Sequence, residues 1–197
     1  LFHPPLTVAT LSTPGRVRAI GGFSFFPRPH RARRLGAVIP TAKEAFRSMS
    51  SSLTTILDHH RLWLDSHRQF GSPARLRGYR LDGTDLASVT LTQADLRESW
   101  WVGATLREAH LTAADGEFAH FDHADLSHVQ AERARFRYAW FPGATLPQAN
   151  LFQADLTRAN FQGADLRGAD LSQATLFGAD LRGADLRDAQ LDRADLR

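Results

Sequence analysis

The sequence contains no cysteine, which excludes a disulfide framework and is compatible with the cytoplasm. It also contains no apolar run near the ~20 residues that a membrane-spanning helix requires. Neither sign of charge dominates, because 24 Lys and Arg residues oppose 21 Asp and Glu residues. Stability must therefore come from an apolar core, without disulfide bonds.

Charge is nevertheless divided unevenly along the chain. Residues 1–48 carry eight basic residues and one acidic residue, so the net charge of +3 leaves −4 for residues 49–197. Residues 1–48 are interrupted by Pro, Arg and Gly and show no sustained periodicity, which is typical of a disordered basic arm. The only methionine is Met49. We therefore favour an upstream extension that is not native, and a flexible arm or an Arg-rich targeting segment remain as alternatives.

A strict period of five residues runs from Leu76 to Leu196. Leu or Phe occupies 22 of the 25 central positions of this run, and Ala occupies 20 of the 25 positions two residues earlier. The exceptions at the central positions are Trp101, Gly116 and Ala131. The exceptions at the Ala positions are Tyr79, Thr84, Val89, Ser99 and Val129.

This period excludes an ordinary helix and a flat strand. A step of five turns a helix by about 140°, so the Leu row would not form one face. In a strand, an odd step sends successive Leu side chains to opposite faces. The pattern predicts instead that each pentapeptide forms a short side and a corner, with Leu and Ala pointing inward.

Two rows of residues, each taken at every fourth pentapeptide, predict four such sides in each coil. The first row contains most of the central aromatic residues and the second is rich in glycine, which favours a turn with positive φ. The first row reads Leu81, Trp101, Phe121, Phe141, Phe161, Leu181. The second reads Gly83, Gly103, His123, Gly143, Gly163, Gly183. We expect an all-β solenoid of about six coils, with the chain burying one continuous core.

The motif A(D/N)LXX, present as ANLFQ, ANFQG and ADLRG within residues 149–168, resembles the pentapeptide-repeat family. The resemblance covers about residues 74–197. It implies a right-handed quadrilateral β-helix with backbone hydrogen bonds between coils. It also implies two kinds of function, since some members bind DNA gyrase by imitating duplex DNA and many have no known activity.

Residues 52–68 are predicted to form an amphipathic helix, because their apolar residues recur at three- and four-residue spacing. Ser50, Ser51 or Ser52 would cap its start, and Gly71 with Pro73 would stop it. The string HRLWLDS resembles a leader of pentapeptide-repeat proteins. We expect 49–72 to be a capping helix in which Trp63 covers the first coil of 73–197. A free-standing helix that binds a partner is the alternative.

At the other end, the repeat pattern continues to Arg197 with no visible cap. An uncovered coil presents backbone groups ready to pair with another chain. The sequence therefore predicts either a fragment or a homodimer formed through the uncapped C-terminal coil.

The most informative outward residues are aromatic. The rows on the two sides of one corner bring five of them together, with two arginines nearby, and such clusters are enriched at interfaces. We call the seven residues the aromatic corner: Trp100, Phe118, His120, Tyr138, Trp140, Arg135 and Arg137. The alternatives are that these side chains pack against the N-terminal helix, or that a bulged coil turns some of them inward.

The coil at 116–135 is expected to be underpacked, because Gly116 and Ala131 are undersized. A strained or bulged coil here is either a site for function or a plain defect. Phe136 lies one coil beyond Gly116 in the same row and is expected to fill its space. Four histidines lie near this coil, but without a recognised metal-ligand spacing. They are His110, His120, His123 and His128. We expect no catalytic residue, cofactor site or metal site.

These observations favour a non-enzymatic scaffold or protein-protein interaction module in the bacterial cytoplasm, with no membrane partner. The alternative is a DNA mimic that protects gyrase. The mild charge of −4 for 49–197 and the many Arg residues on its faces argue against that alternative. Direct nucleic-acid binding is not expected.

Overall fold

A computed structural model describes the backbone of residues 42–197 and the side chains of residues 52–197. Residues 1–41, which include most of the predicted basic arm, lie outside the described part. One α-helix, α1 (Ala42–Asp65), precedes the repeats. Within residues 42–197, no helix is both long enough and apolar enough to cross a membrane.

The repeats form stacked coils in which the chain returns to the same position after every fourth pentapeptide. One residue of each pentapeptide forms a parallel bridge with its equivalent in the next coil, without interruption from Arg75–Asp95 to Thr175–Asp195. Each bridge is isolated, so the sides are single-residue bridges and not longer strands. The pairing is reciprocal: the amide of Leu76 donates to the carbonyl of Asp95 (2.7 Å), and the amide of Asp95 donates to that of Ala74 (2.9 Å). The predicted register of four pentapeptides per coil is therefore the observed one.

Every corner is a tight turn with one residue in the left-handed region. At the first corner, the amide of Tyr79 donates to the carbonyl of Leu76 (3.0 Å), and Gly78 between them has a φ of 71°. The equivalent residue of every corner from Gly78 to Arg193 has a φ between 53° and 71°. Most of these residues are not glycine, as with Phe118 and Tyr138. Positive φ therefore does not by itself explain the glycine row, because the other corners adopt it with ordinary side chains.

The inward rows form the core, as the period predicts. The central aromatic residues are fully buried and stack from coil to coil, with ring centroids 6.0 Å apart for Trp101–Phe121, 4.9 Å for Phe121–Phe141 and 4.6 Å for Phe141–Phe161. Burial weakens in the last coil, where Leu181 is only partly covered.

The coil at 116–135 is regular, and the expected bulge is absent. Its bridges keep the common register on both sides, with His120 paired to Trp100 and to Trp140. Phe136 fills the space left by Gly116, as predicted: a Cβ atom added to Gly116 would lie 2.6 Å from the Phe136 ring. The small residue and the large one compensate, so no strain needs to be released.

Helix α1 begins at Ala42 and ends at Asp65, whereas the sequence predicted 52–68. The earlier start is understandable, because residues 42–49 are mostly good helix formers. The helix packs on the core through Leu53, Ile56 and Leu57. Trp63, which was expected to cover the first coil, stacks on His60 (5.8 Å) and is not among the apolar side chains packed on the core.

His60 connects the helix to the first coil. Its side chain is fully buried, and its Nδ1 accepts a hydrogen bond from the amide of Ala74 (3.0 Å). Gly71 allows the chain to return close to the helix, since a Cβ atom there would lie 2.2 Å from the carbonyl oxygen of His59. Burial lowers the pKa of His60 below its usual value of 6.5.

A second buried polar pair explains two exceptions in the repeat. The indole Nε1 of Trp101 donates to the Oγ of Ser99 (2.6 Å), and this hydroxyl donates to the carbonyl of Leu96. Ser99 therefore replaces Ala because its neighbour brings a buried N–H group that needs a partner.

The Ser99–Trp101 pair predicts non-additive effects on stability. Ser99→Ala should lower the free energy of unfolding by about 1–3 kcal/mol, because it leaves the Trp101 N–H buried without a partner. In a Trp101→Phe background the same change should cost much less, since Phe has no N–H. Urea unfolding of the four proteins in this cycle measures the difference. Equal costs of Ser99→Ala in both backgrounds would contradict the pairing.

His60 predicts a pH dependence of stability. Because its pKa is lowered in the folded state, the unfolded chain binds a proton first as the pH falls. The contribution is complete above pH ~6.5 and is lost as the pH falls towards the folded-state pKa. His60→Asn keeps an acceptor near the Nδ1 position but does not titrate. We expect the melting temperature of the parent to fall more between pH 8 and pH 5.5 than that of His60→Asn, and an equal fall would refute the assignment.

Candidate interaction surface

The aromatic corner forms two parallel stacks of outward side chains. In the first, the Arg80 guanidinium lies over the Trp100 ring (4.6 Å to its centroid), followed by His120 and then Trp140. Ring centroids are 3.9 Å apart for Trp100–His120 and 5.9 Å apart for His120–Trp140. The coil register produces this stack, because bridges join Trp100 to His120 and His120 to Trp140.

The second stack lies across the corner. Phe118 stacks on Tyr138 with centroids 5.0 Å apart, and the Arg158 guanidinium lies 5.7 Å from the Tyr138 centroid. Phe118 is 47% exposed and Trp140 is 45% exposed, while Trp100, His120 and Tyr138 are partly exposed. None of the five belongs to the buried core, so the corner is an outward surface.

Arg135 and Arg137 border the stacks on the adjoining face. Arg135 is 57% exposed and lies 3.7 Å from a carboxylate oxygen of Asp115. Arg137 is 42% exposed and lies 3.7 Å from Asp155, and its Nε atom is buried without a hydrogen-bond partner. Both guanidinium groups are loosely paired, so they keep donors for another ligand.

The sequence did not identify Asp122 as part of this surface. The matching residue two coils earlier, Asp82, accepts a hydrogen bond from the amide of Val102 (3.1 Å). Asp122 has Pro142 in that position, which has no amide N–H. The other oxygen of Asp82, Oδ2, accepts a hydrogen bond from Nε of Arg80, and His120 stands in that position beside Asp122. The Oδ2 atom of Asp122 is buried without a hydrogen-bond partner and lies 3.6 Å from Nδ1 of His120. The signals in the sequence are the proline one coil after the aspartate and the histidine two residues before it.

The remaining histidines do not gather into a metal site. His123 leans over Gly143, where an added Cβ atom would lie 2.6 Å from its Nδ1. His110 and His128 lie with Glu108 and Gln130 at a different corner. Within residues 52–197, no group of three or more His, Asp or Glu side chains is arranged to hold a metal ion.

Elsewhere on the coils, Asp and Arg side chains two residues apart pair with each other. Asp180 shows the arrangement, since it accepts hydrogen bonds from the guanidinium and the amide of Arg182. These bonds, led by the guanidinium contact, lower the pKa of Asp180 to about 2. The same pairing occurs in Asp95–Arg97, Asp165–Arg167, Asp185–Arg187 and Asp195–Arg197.

Comparisons with known proteins agree with this architecture. The family profile for pentapeptide repeats matches eight copies, at residues 102–137, 141–173 and 169–197. No curated protein matches the chain significantly. Among solved structures, the chain is similar to HetL from the cyanobacterium Nostoc sp. strain PCC 7120, a pentapeptide repeat protein involved in the regulation of heterocyst differentiation. The match has 32% identity and a TM-score of 0.55, and it covers 63% of this chain and 60% of HetL.

Two further structures show weaker likeness. A second Nostoc pentapeptide repeat protein, alr5209, is 30% identical, with 47% of this chain and 84% of that chain covered and a TM-score of 0.25. QnrB1, a plasmid-mediated fluoroquinolone resistance protein, is 19% identical, with 61% and 76% covered and a TM-score of 0.30. The repeat profile and the register of the coils lead to one conclusion: this chain belongs to the pentapeptide-repeat family.

Proposed function

We propose that this protein is a non-enzymatic protein-protein interaction module that binds its partner through the aromatic corner. The observation that carries this proposal is the pair of stacks on one corner, with Phe118 and Trp140 about half exposed. Large aromatic side chains and Arg dominate binding energy when a partner covers them. The corner supplies both kinds of residue on a rigid support.

The fold does not need these aromatic residues in order to fill its core. The inward row of Trp101, Phe121, Phe141 and Phe161 is already fully buried and stacked. The outward rings therefore expose apolar area and do not contribute to filling the core. Exposed apolar patches of this kind are typical of interaction sites.

Mimicry of DNA for binding to gyrase is the weaker alternative. Such a surface requires an excess of negative charge along one face. In this chain, five Asp side chains are bound by an Arg two residues later, as in Asp165–Arg167 and Asp185–Arg187. The faces are thus neutralised by their own chain, and a polyanionic surface does not develop.

We infer that the repeats form a right-handed quadrilateral β-helix of about six coils, with α1 as its N-terminal cap. Three apolar side chains of α1 and the buried His60 cover the open end of the first coil, which supports this role. Caps of this kind are needed in solenoids because an uncovered end exposes core and backbone groups. The absence of cysteine and the similarity to a cyanobacterial protein support a bacterial, cytoplasmic setting.

If the aromatic corner is the partner surface, a double substitution in it should prevent binding of the partner. Trp100→Ser with Trp140→Ser in the full chain should abolish capture of at least one protein from lysate of the source organism, with the fold retained. Leu62→Ser with Phe152→Ser is the matched control, because both residues are outward and apolar but lie away from the corner. Quantitative mass spectrometry of captured proteins compares the three baits.

Two results would overturn this proposal. If the folded double variant still captures every partner of the parent, the interaction surface lies elsewhere. If it unfolds, the two rings are structural, and the single change Trp140→Ser, at the exposed end of the stack, then tests binding alone. Loss of capture in the control as well would mean that the effect is not specific to the corner.

We also propose that two copies pair through the last coil when no further repeat follows it. Leu181, Leu186 and Leu191 are only partly buried, whereas the same rows are fully buried in the middle coils. Sedimentation equilibrium should then give a dimer for the full chain. Leu186→Glu should shift it to a monomer with little loss of stability, and a monomeric parent would contradict the pairing.

A further inference from the structure

The outward stack of planar groups is closed at one end and open at the other. At the closed end, the Arg80 guanidinium covers the outer face of Trp100. At the other end is Trp140, which has His120 on one face and is 45% exposed. Among residues 52–197, no ring or guanidinium group covers its second face.

The next residue in this row leaves that face accessible. Asn160 is bridged to Trp140 and stands one coil further along. Its short side chain is turned towards the next corner of the coil, at 162–163, because its Oδ1 accepts a hydrogen bond from the amide of Gln162 (2.9 Å). We call the space beside the exposed Trp140 ring the slot and define it by Trp140, Asn160 and Arg158.

An unpaired positive charge borders this slot. Arg158 lies over Tyr138 and forms no ion pair among the described residues, unlike most arginines of the repeats. Arg137 and Arg182, in contrast, are paired with the carboxylates of Asp155 and Asp180. The slot therefore combines a flat apolar wall with one cation that lacks a counter-charge.

We propose that the slot binds an aromatic side chain of the protein partner, with a carboxylate beside that side chain pairing with Arg158. The inference rests on the proposed function and specifies the chemistry of the partner. An aromatic ring would continue the stack at the spacing that the coils impose, as His120 does between the two tryptophans. A carboxylate would satisfy the free guanidinium by a charge-assisted hydrogen bond.

A cationic side chain fits this slot less well. A guanidinium group does stack on Trp100 at the closed end, where Asp82 pairs with Arg80. At the open end, Arg158 has no such counter-ion and would repel a second cation. The charge of the slot thus favours an aromatic-acidic segment over a basic one.

The experiment uses the full chain and three short probes. The probes are the blocked peptides Glu-Phe-Glu, Glu-Leu-Glu and Lys-Phe-Lys, which separate the ring from the charge. Binding is followed by NMR through the side-chain N–H signals of the four tryptophans. We expect Glu-Phe-Glu to shift the Trp140 signal most, with the other two probes about fivefold weaker.

Asn160→Phe is the informative variant, because it places a ring of the chain itself in the slot. Rings at 100, 120 and 140 show that the row accommodates them. Asn150→Phe is the matched control on another face, since the Asn150 Oδ1 likewise accepts the amide of the residue two positions later (3.1 Å). Asn160→Phe should abolish probe binding, Asn150→Phe should not, and Arg158→Gln should remove the preference for Glu-Phe-Glu over Lys-Phe-Lys.

The inference is overturned if Glu-Phe-Glu does not shift Trp140, or if Asn160→Phe leaves the shift unchanged. Binding of adenosine monophosphate in place of the peptide would also overturn it, because a nucleotide combines an aromatic base with a phosphate and is not a protein segment. Partner capture by the same variants tests the proposed function independently of the slot. If Asn160→Phe keeps every captured partner while Trp100→Ser with Trp140→Ser loses one, the aromatic corner stands as the interface and the slot does not.

Discussion

The constraint on which the structure depends is the return of the chain to the same position after every fourth pentapeptide. Inter-coil hydrogen bonds fix this register from Arg75 to Asp195, so each side chain meets its equivalents in the coils before and after it. Contacts are therefore organised in rows. The same register produces the inward aromatic row and the outward one, and within the repeats each coil packs on its neighbouring coils.

Most of the coil register and of the inward and outward rows could be predicted from the sequence. Once the period is known, the residues of one row can be read directly from their numbers. The compensation of Gly116 by Phe136 illustrates the point, since both residues fall in one row and the small one precedes the large one. The aromatic corner followed in the same way from residue numbers alone. A bulge does not form at 116–135, because the Phe136 ring fills the space at Gly116 and the bridges keep their register.

The features that the sequence did not predict are hydrogen bonds between particular polar atoms, and these do not follow from the period of the repeat. Ser99 reads as a simple exception until the Trp101 N–H is seen to bind its hydroxyl. Asp122 resembles any outward acid, although Pro142 withholds the amide that its counterpart uses. His60 looks like one residue of an amphipathic helix, yet it is buried and accepts a bond from the first coil. Such polar pairings are set by geometry that residue types alone do not specify.

A surface built from rows has a consequence for binding. Side chains that already stack on their neighbours, such as His120 between two tryptophans, have few rotamers left to lose when a partner covers them. The entropic cost of ordering the interface is thus largely met during folding. The stack also gives direction to the surface, because one end carries the Arg80 guanidinium and the other presents the bare face of Trp140. A partner that reads this difference can bind in only one orientation, so a repetitive scaffold can support a specific contact.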